Sequence, residues 1–564
     1  MKTKKIISIL LSVLMVLTSF PVVAFADDES GDRFTKTTEG YIICDSVEDL
    51  NLTEDDDLRG FVTEGEWTCH WSYDSESRTV KYFCPNPYNK NVRTNIDCGF
   101  EANMEIMYFR TMSFETWVEE NPEYYEDYKN NDYTDEMIAE DALMTVYDDE
   151  GNAYRGTYKY FQFPFFDSVQ RVVIGNDIEK IKSLPLSMFE NLNCVEFEEN
   201  SVLTEINGSI FASTKHIDEV VLPASVTSIG ASCFANSNVK SVDLSNTQIT
   251  VIPDRAFYNT HELQEVKFND KITKFGAQAF RDTALEQINL PSTLTTLDNG
   301  VFRNSSIISI DFENTGVIEI PLNAFYLSDI ETVKLNPDTE IIGDNAFRCS
   351  MIKEINIPES VYEIGDNAFL STSDLERITI TGNVDIGDYA FRNSGLTYLD
   401  MRDANVSLGK YVFRNCRLDE VHLPTDNAFI LSTGAFRSSK IGTLDMPSAY
   451  KIESEAFGGS QIENVVIPEN CTKMASDCFS GADINYIRIE SPSINIYEID
   501  YFSSINNLTT IVYLSENDFG LPDSFAGLNN YSKFMDKNIN IYGYKDTPLY
   551  RHCIKNGIPF HEIT

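Results

Sequence analysis

The chain has 564 residues, with 88 Asp and Glu against 44 Lys and Arg, and a formal net charge of −44. A nucleic-acid backbone would be repelled by so acidic a surface instead of exchanging its counterions, so nucleic acid is excluded as an expected partner. Solubility is the plain consequence of the excess acid, and divalent cations held along acidic edges are the functional alternative.

Residues 1–26 read as a secretory signal. Lys2, Lys4 and Lys5 precede an apolar run over 6–25, and Ala24-Phe25-Ala26 supplies a small-x-small cleavage site before Asp27. Export with a mature start at Asp27 is the expectation, and a retained membrane helix is its competitor. No second apolar stretch of about 18 residues follows, so no span is expected after cleavage. The final HEIT carries no sorting motif, which points to free secretion or loose association with the envelope.

Residues 27–168 form the next segment, expected to be a small mixed α+β cap. Residues 64–83 alternate apolar and polar side chains around the turn-forming DSES, the pattern of a hairpin. Residues 114–147 are acidic and tyrosine-rich and suggest one or two short helices. Residues 145–161 suggest a second hairpin closed by DEGN. Cys44, Cys69, Cys84 and Cys98 lie here, and in an exported chain they can make two disulfides in three possible pairings. A zinc site is the weaker reading because no C-x-x-C pair occurs.

From residue 169 a fixed period takes over. Phe189, Phe211, Phe234, Phe257, Phe280, Phe302, Phe325, Phe347, Phe369, Phe391, Phe413, Phe436, Phe457, Phe479, Phe502 and Phe525 follow one another at spacings of 21, 22 or 23 residues. Such a period means a stack of coils, each burying its apolar side only against its neighbours. In residues 355–380, Ile355 and Ile357 alternate as a strand, Pro358 ends it, and Val361, Ile364, Ala368, Phe369 and Leu375 fill the interior. Gly365 is read as a tight turn. The residue before each Phe is mostly Ala, Cys or Val because two bulky side chains do not fit side by side in a narrow coil. Cys233 and Cys478 stand at that small site, and Cys349 and Cys416 just after the Phe, so all four are expected reduced and buried. The fold expected is thus a right-handed β-rich solenoid of about 16 coils over 169–537. Residues 538–564 close it, with Thr547 as N-cap, Pro548 in the first helical turn and Gly557 as the C-terminal stop.

The frame IPESVYEIGDNAF at 357–369, repeated as LPASVTSIGASCF at 222–234, LPSTLTTLDNGVF at 290–302 and IPENCTKMASDCF at 467–479, resembles the BspA type of leucine-rich repeat. The segment 64–83 resembles the hairpin that precedes the first repeat in that family, and the C-terminal cap resembles the family's endings. The resemblance implies a surface or secreted bacterial adhesion or interaction module, whose partner is an extracellular protein or glycan.

Two rows of side chains are candidates for binding. Arg281, Arg303, Arg348, Arg392, Arg414 and Arg437 each follow a periodic Phe directly and so project from equivalent corners. Asp344, Asp366 and Asp388, three residues before their own Phe, are the acids expected to pair with them and pin coil to coil. Recognition of an anionic glycan is the alternative, since guanidinium forks suit carboxylate and sulfate. The second row holds the outward strand residues Asp243, Lys267, Asn289, Asp311, Lys334, Asn356, Thr379, Asp400, His422, Asp445 and Arg488, with Tyr398 and Tyr486 as its few aromatics. This polar face of mixed sign suits a protein better than a sugar. No catalytic motif, cofactor motif or full metal loop occurs, and a non-enzymatic monomer is expected. An enzyme within 27–168, with the repeats as its targeting module, is the rival, and a structural spacer the third reading.

Overall fold

A computed structural model describes residues 71–82, 118–122, 166–494, 502, 504–515 and 539–563, the side chains of 548, 552 and 556 excepted, together with the backbone of further strands between 35 and 162. The predicted signal and Phe525 lie outside these residues, as does most of the segment expected to be helical. The chain is a parallel β-solenoid of about 16 turns with very little helix. It divides into two compact units, 1–229 and 230–564.

In the first unit both predicted hairpins are present. The strand Trp67–Asp74 pairs antiparallel with Thr79–Phe83, and Asp74 Oδ1 closes the turn by accepting the Ser77 N–H at 2.7 Å. Met144–Tyr147 pairs antiparallel with Ala153–Gln162. The first hairpin does more than precede the repeats. Thr79–Phe83 runs parallel to Arg171–Ile174, which runs parallel to Cys194–Phe197. Thr94–Asp97 likewise runs parallel to Ile178–Ser183. Parallel pairing therefore begins ahead of residue 169, and a long insertion separates its first rungs from the rest. Trp71, Tyr73, Val80 and Tyr82 alternate as fully buried side chains beneath this start.

The second unit shows what the phenylalanine period builds. Consecutive rings from Phe234 to Phe502 stack nearly parallel, 5.0 Å apart at Phe369 and Phe391 and 6.4 Å at Phe479 and Phe502. Such offset pairs contribute about 0.5–1.5 kcal/mol each beyond the area they bury. The small residue beside each ring, from Cys233 through Ala368 to Cys478, is fully buried. The backbone here is no helix or strand but a ladder of turns, in which the Phe369 N–H donates to the Ala390 carbonyl of the next coil at 2.7 Å. Residues two before and two after the ring take left-handed backbone, for instance Asn367 (φ 57°) and Ser371 (φ 60°).

A second internal row was invisible to hydrophobic patterning. Three residues after the ring stands a buried hydroxyl that donates to the ring residue's own carbonyl, as from Ser237 to Phe234 at 2.7 Å and from Thr372 to Phe369 at 2.8 Å. Cys416 occupies this place in its coil. Its thiol contacts the Phe391 carbonyl at 3.1 Å and Ser394 Oγ at 3.4 Å, so it replaces a hydroxyl and is not merely an apolar filler. Cys233, Cys416 and Cys478 are buried, but Cys349 is only half-buried, because it holds the left-handed position two after Phe347 (φ 55°).

Gly365 also differs from expectation. Its backbone is not left-handed; a Cβ there would lie 2.5 Å from the Asp344 nitrogen, so the neighbouring coil's close approach is what requires glycine. At the far end the short helix Pro548–Asn556 forms as predicted, with Thr547 Oγ1 accepting the Tyr550 N–H and Gly557 left-handed at φ 68°. Leu549 and Cys553 are buried. The chain then adds Phe560–Glu562 as a final parallel strand beside Asn540–Gly543.

Candidate functional site

The exposed strand row is in register. Asp243 pairs with Lys267, Asp311 with Lys334, and Thr379, Asp400, His422 and Asp445 follow one another on adjacent rungs. Two residues earlier on the same strands, and so on the same face, Arg377, Tyr398 and Glu420 do the same. The two rows meet in a single cluster. The Arg377 guanidinium lies 3.8 Å from the Tyr398 ring centre. The Tyr398 hydroxyl donates to Asp400 Oδ2 at 3.0 Å. Asp400 also accepts from Arg402 Nε at 3.0 Å and Nη2 at 2.5 Å, a two-pronged bond. That bond, more than any other interaction, holds the Asp400 carboxyl down at about 2.

His422 stands beside this pair. Its ring meets Tyr398 edge-on with centres 6.0 Å apart. Nε2 lies 3.6 Å from Glu420 Oε2 and Nδ1 lies 3.9 Å from Asp445 Oδ2. Among the described residues Nδ1 has no hydrogen-bond partner. Tyr398 and His422, both candidates from the sequence, are thus brought together, with Arg377, Arg402 and Glu420 added to them. Tyr486 is not; it is flanked by Asn464 and Thr510 on rungs farther along.

The six arginines of the row are all half-buried, and their partners are not the predicted aspartates. Asp344 accepts the backbone N–H of Asp366, Asp366 that of Asp388, and Asp388 that of Lys410, at 2.6–2.7 Å. Those carboxylates tie backbone to side chain between coils and leave the arginines to other groups. Arg281 pairs with its neighbour Asp282 at 3.0 Å, and Arg437 with Glu455 of the next coil. Arg303 and Arg348 lie on either side of the Tyr326 ring, 4.9 and 5.5 Å from its centre. Arg392 and Arg414 lie over Tyr389 and Tyr411 at 5.5 and 5.6 Å. Tyr326 occupies the arginine position of its own coil, a signal present in the sequence as the residue directly after Phe325.

Cys84 and Cys98 lie outside the described residues, as do the side chains of Cys44 and Cys69. Among the described residues there is no group of His, Cys, Asp and Glu suited to a metal ion, and no helix long and apolar enough to cross a membrane.

Stacked parallel rungs joined by a repeating buried phenylalanine define a leucine-rich repeat solenoid. The BspA type leucine-rich repeat region matches residues 159–286, 273–397, 384–509 and 430–534, and the chain belongs to this family. No curated protein matches it. Among solved structures, it is similar to a leucine-rich repeat protein from Bacteroides ovatus ATCC 8483 at 15% identity, over 86% of this chain and 100% of that one, with a TM-score of 0.38. It is also similar to the pneumococcal vaccine antigen PcpA, at 15% identity over 70% and 79% with a TM-score of 0.24. A leucine rich cell surface protein of Faecalibacterium prausnitzii A2-165 is similar at 15% identity over 80% and 94%, with a TM-score of 0.21.

Proposed function

We propose that the protein is an exported, monomeric, non-catalytic binding module, and that its strand face around Tyr398 and His422 takes an extracellular protein. The observation that carries this reading is the cluster itself. Arg377, Tyr398, Asp400, Glu420, His422 and Asp445 place both signs of charge and two rings on adjacent rungs of one sheet, and Arg402 reaches Asp400 from the turn that follows. Arg and Tyr are enriched where protein partners bind, and alternating charge fixes the register of a partner more than it adds raw affinity. Held on strands, these groups need little ordering when a partner arrives. Among the described residues, the groups recorded against the His422 ring are two carboxylates and a phenol, with no serine or cysteine for it to activate, which disfavours catalysis.

The test is an array of extracellular-matrix proteins and mucin and plant glycans, probed with the full chain and with the double variant Arg377→Ala/His422→Ala. Binding of at least one protein that the variant loses, at an unchanged melting temperature, is expected. Equal binding by parent and variant, or capture of glycans alone, would overturn the assignment of this face.

A further inference from the structure

A second surface lies on the turn ladder, away from the strand rows. We propose that Tyr389, Tyr411, Arg392 and Arg414 form a site for an acidic polysaccharide, one bearing sulfate or uronic carboxylate groups.

The backbone supplies the first reason. Two residues before the ring, three preceding coils carry Asn323, Asn345 and Asn367, all left-handed, and asparagine tolerates that conformation. The next two coils place tyrosine there, Tyr389 at φ 59° and Tyr411 at φ 57°. A bulky side chain in this region is strained, and such strain collects where a site needs the side chain for another purpose. The rings themselves supply the second reason. They stack 5.3 Å apart and 11° from parallel. In the following coil the equivalent position is Gly434, where a Cβ would lie 2.2 Å from the Tyr411 ring. The absence of a side chain at that position gives the ring its space.

Charge supplies the third. Arg392 and Arg414 stand one coil apart over these rings, and among the described residues no carboxylate lies within ion-pairing distance of either. Among the described residues, buried Arg392 Nε has no hydrogen-bond partner. Two adjacent unneutralised guanidinium groups are out of keeping with a chain of net charge −44, particularly as Arg281 and Arg437 at the ends of the row are each neutralised. Lys410, exposed beside Tyr411, adds a further cation, and the nearby Asp388 carboxylate is engaged with the Lys410 N–H. Guanidinium forks bind sulfate and carboxylate through paired hydrogen bonds, and resting on a ring preorganises them. Stacked phenols next to fixed cations fit a ligand that joins a ring to an anion, which is the chemistry of an acidic sugar.

The experiment titrates the full-length protein against heparin, polygalacturonate and neutral dextran at low and high salt. Three variants accompany the parent: Arg392→Gln/Arg414→Gln, Tyr389→Asn/Tyr411→Asn, and a charge-matched control, Lys182→Gln/Lys215→Gln, in the first unit. The asparagine variant restores the residue of the preceding coils, so it should fold at least as stably as the parent. Salt-sensitive binding of heparin or polygalacturonate, weakened at least about tenfold by the arginine and tyrosine pairs and unchanged in the control, is expected. Binding of only one polymer assigns sulfate or carboxylate as the recognised group. Dextran binding as strong as that of the polyanions, no polyanion binding by the parent, or equal loss in the control would overturn the proposal.

Discussion

The Asp344 carboxylate accepts the backbone N–H of Asp366 at 2.7 Å, and Asp366 repeats the contact to Asp388 one coil on. An acid that appears from its spacing to be a partner for arginine is thereby a backbone clamp. Replacing Asp366 with Ala should cost about 1 kcal/mol, the size of a lost capping bond at an exposed position. Asp366→Asn, which keeps an acceptor oxygen, should cost less than half of that in denaturant melts. Arg392→Gln should leave stability within about 0.5 kcal/mol, since its charge has no acid partner to lose. A larger loss from Arg392→Gln than from Asp366→Ala would return the arginines to a pinning role.

The stacked rings make a larger prediction. Phe369 is fully buried between Phe347 and Phe391 at 5.2 and 5.0 Å. Phe369→Ala should cost about 3–5 kcal/mol through the cavity it leaves. Lys334→Ala, whose ion pair with Asp311 is exposed, should leave the urea midpoint nearly unchanged. Urea titration of the two variants decides it, and similar costs would mean that inside and outside had been exchanged.

These two cases also mark what the sequence could reveal. The ring period, the small neighbour and the C-terminal helix caps are each set by one local rule, size or backbone preference, that acts at a fixed spacing. They could be read directly. The uses of Asp344 and Gly365 depend on which backbone lies one coil away, a distance that no residue pattern states. The same holds for Tyr389 and Tyr411. Their importance comes from left-handed backbone at a position where asparagine is ordinary, a conformation tied to the next coil by the bonds from the Tyr389 N–H to the Lys410 carbonyl and from the Tyr411 N–H to the Thr433 carbonyl. Within the strand row, Tyr398 and His422 were legible as outward residues, whereas Arg377 and Arg402 reach the cluster from other positions on the turns and rungs.

Thiol chemistry separates the cysteines. Burial pushes the Cys416 and Cys471 thiols up to about 11 and Cys553 up to about 12. In native protein an alkylating reagent should label half-buried Cys349 before Cys233, Cys416 or Cys478, as read by peptide mass spectrometry. Cys416→Ser should melt within a few degrees of the parent, because serine restores the hydroxyl of the equivalent positions. Cys416→Val should melt distinctly lower, because it leaves the Phe391 carbonyl without that contact.

The Asp400–Arg402 pair predicts a pH effect with a definite sign. Asp400 is held at about 2 in the folded chain, below its ordinary 3.8. Its contribution to stability is therefore complete above about pH 4 and disappears as pH falls toward 2. Asp400→Asn should therefore lower stability most in the neutral region, where the contribution is complete, and flatten the curve between about pH 4 and 2, where the parent loses it. An unchanged slope between those pH values would show that the pair does not persist in solution.

The four cysteines of the N-terminal region give a separate test. In protein collected from culture medium, Cys44, Cys69, Cys84 and Cys98 should resist alkylation under denaturing conditions until a reductant is added. Free thiols at all four would remove the disulfide expectation.

The last strand, Phe560–Glu562, has only three residues, and His561 and Glu562 are both exposed. A parallel sheet that grows by adding one rung after another presents the same hydrogen-bonding edge at every stage, and a free edge can recruit another chain as readily as its own next coil. The short charged strand makes a poor template for such growth. Removing residues 547–564 would expose the edge of Asn540–Gly543, with buried Ile541 at its centre, as a place where a second chain could pair. Among the described residues, the strand Phe560–Glu562 thus guards that edge as well as adding a rung.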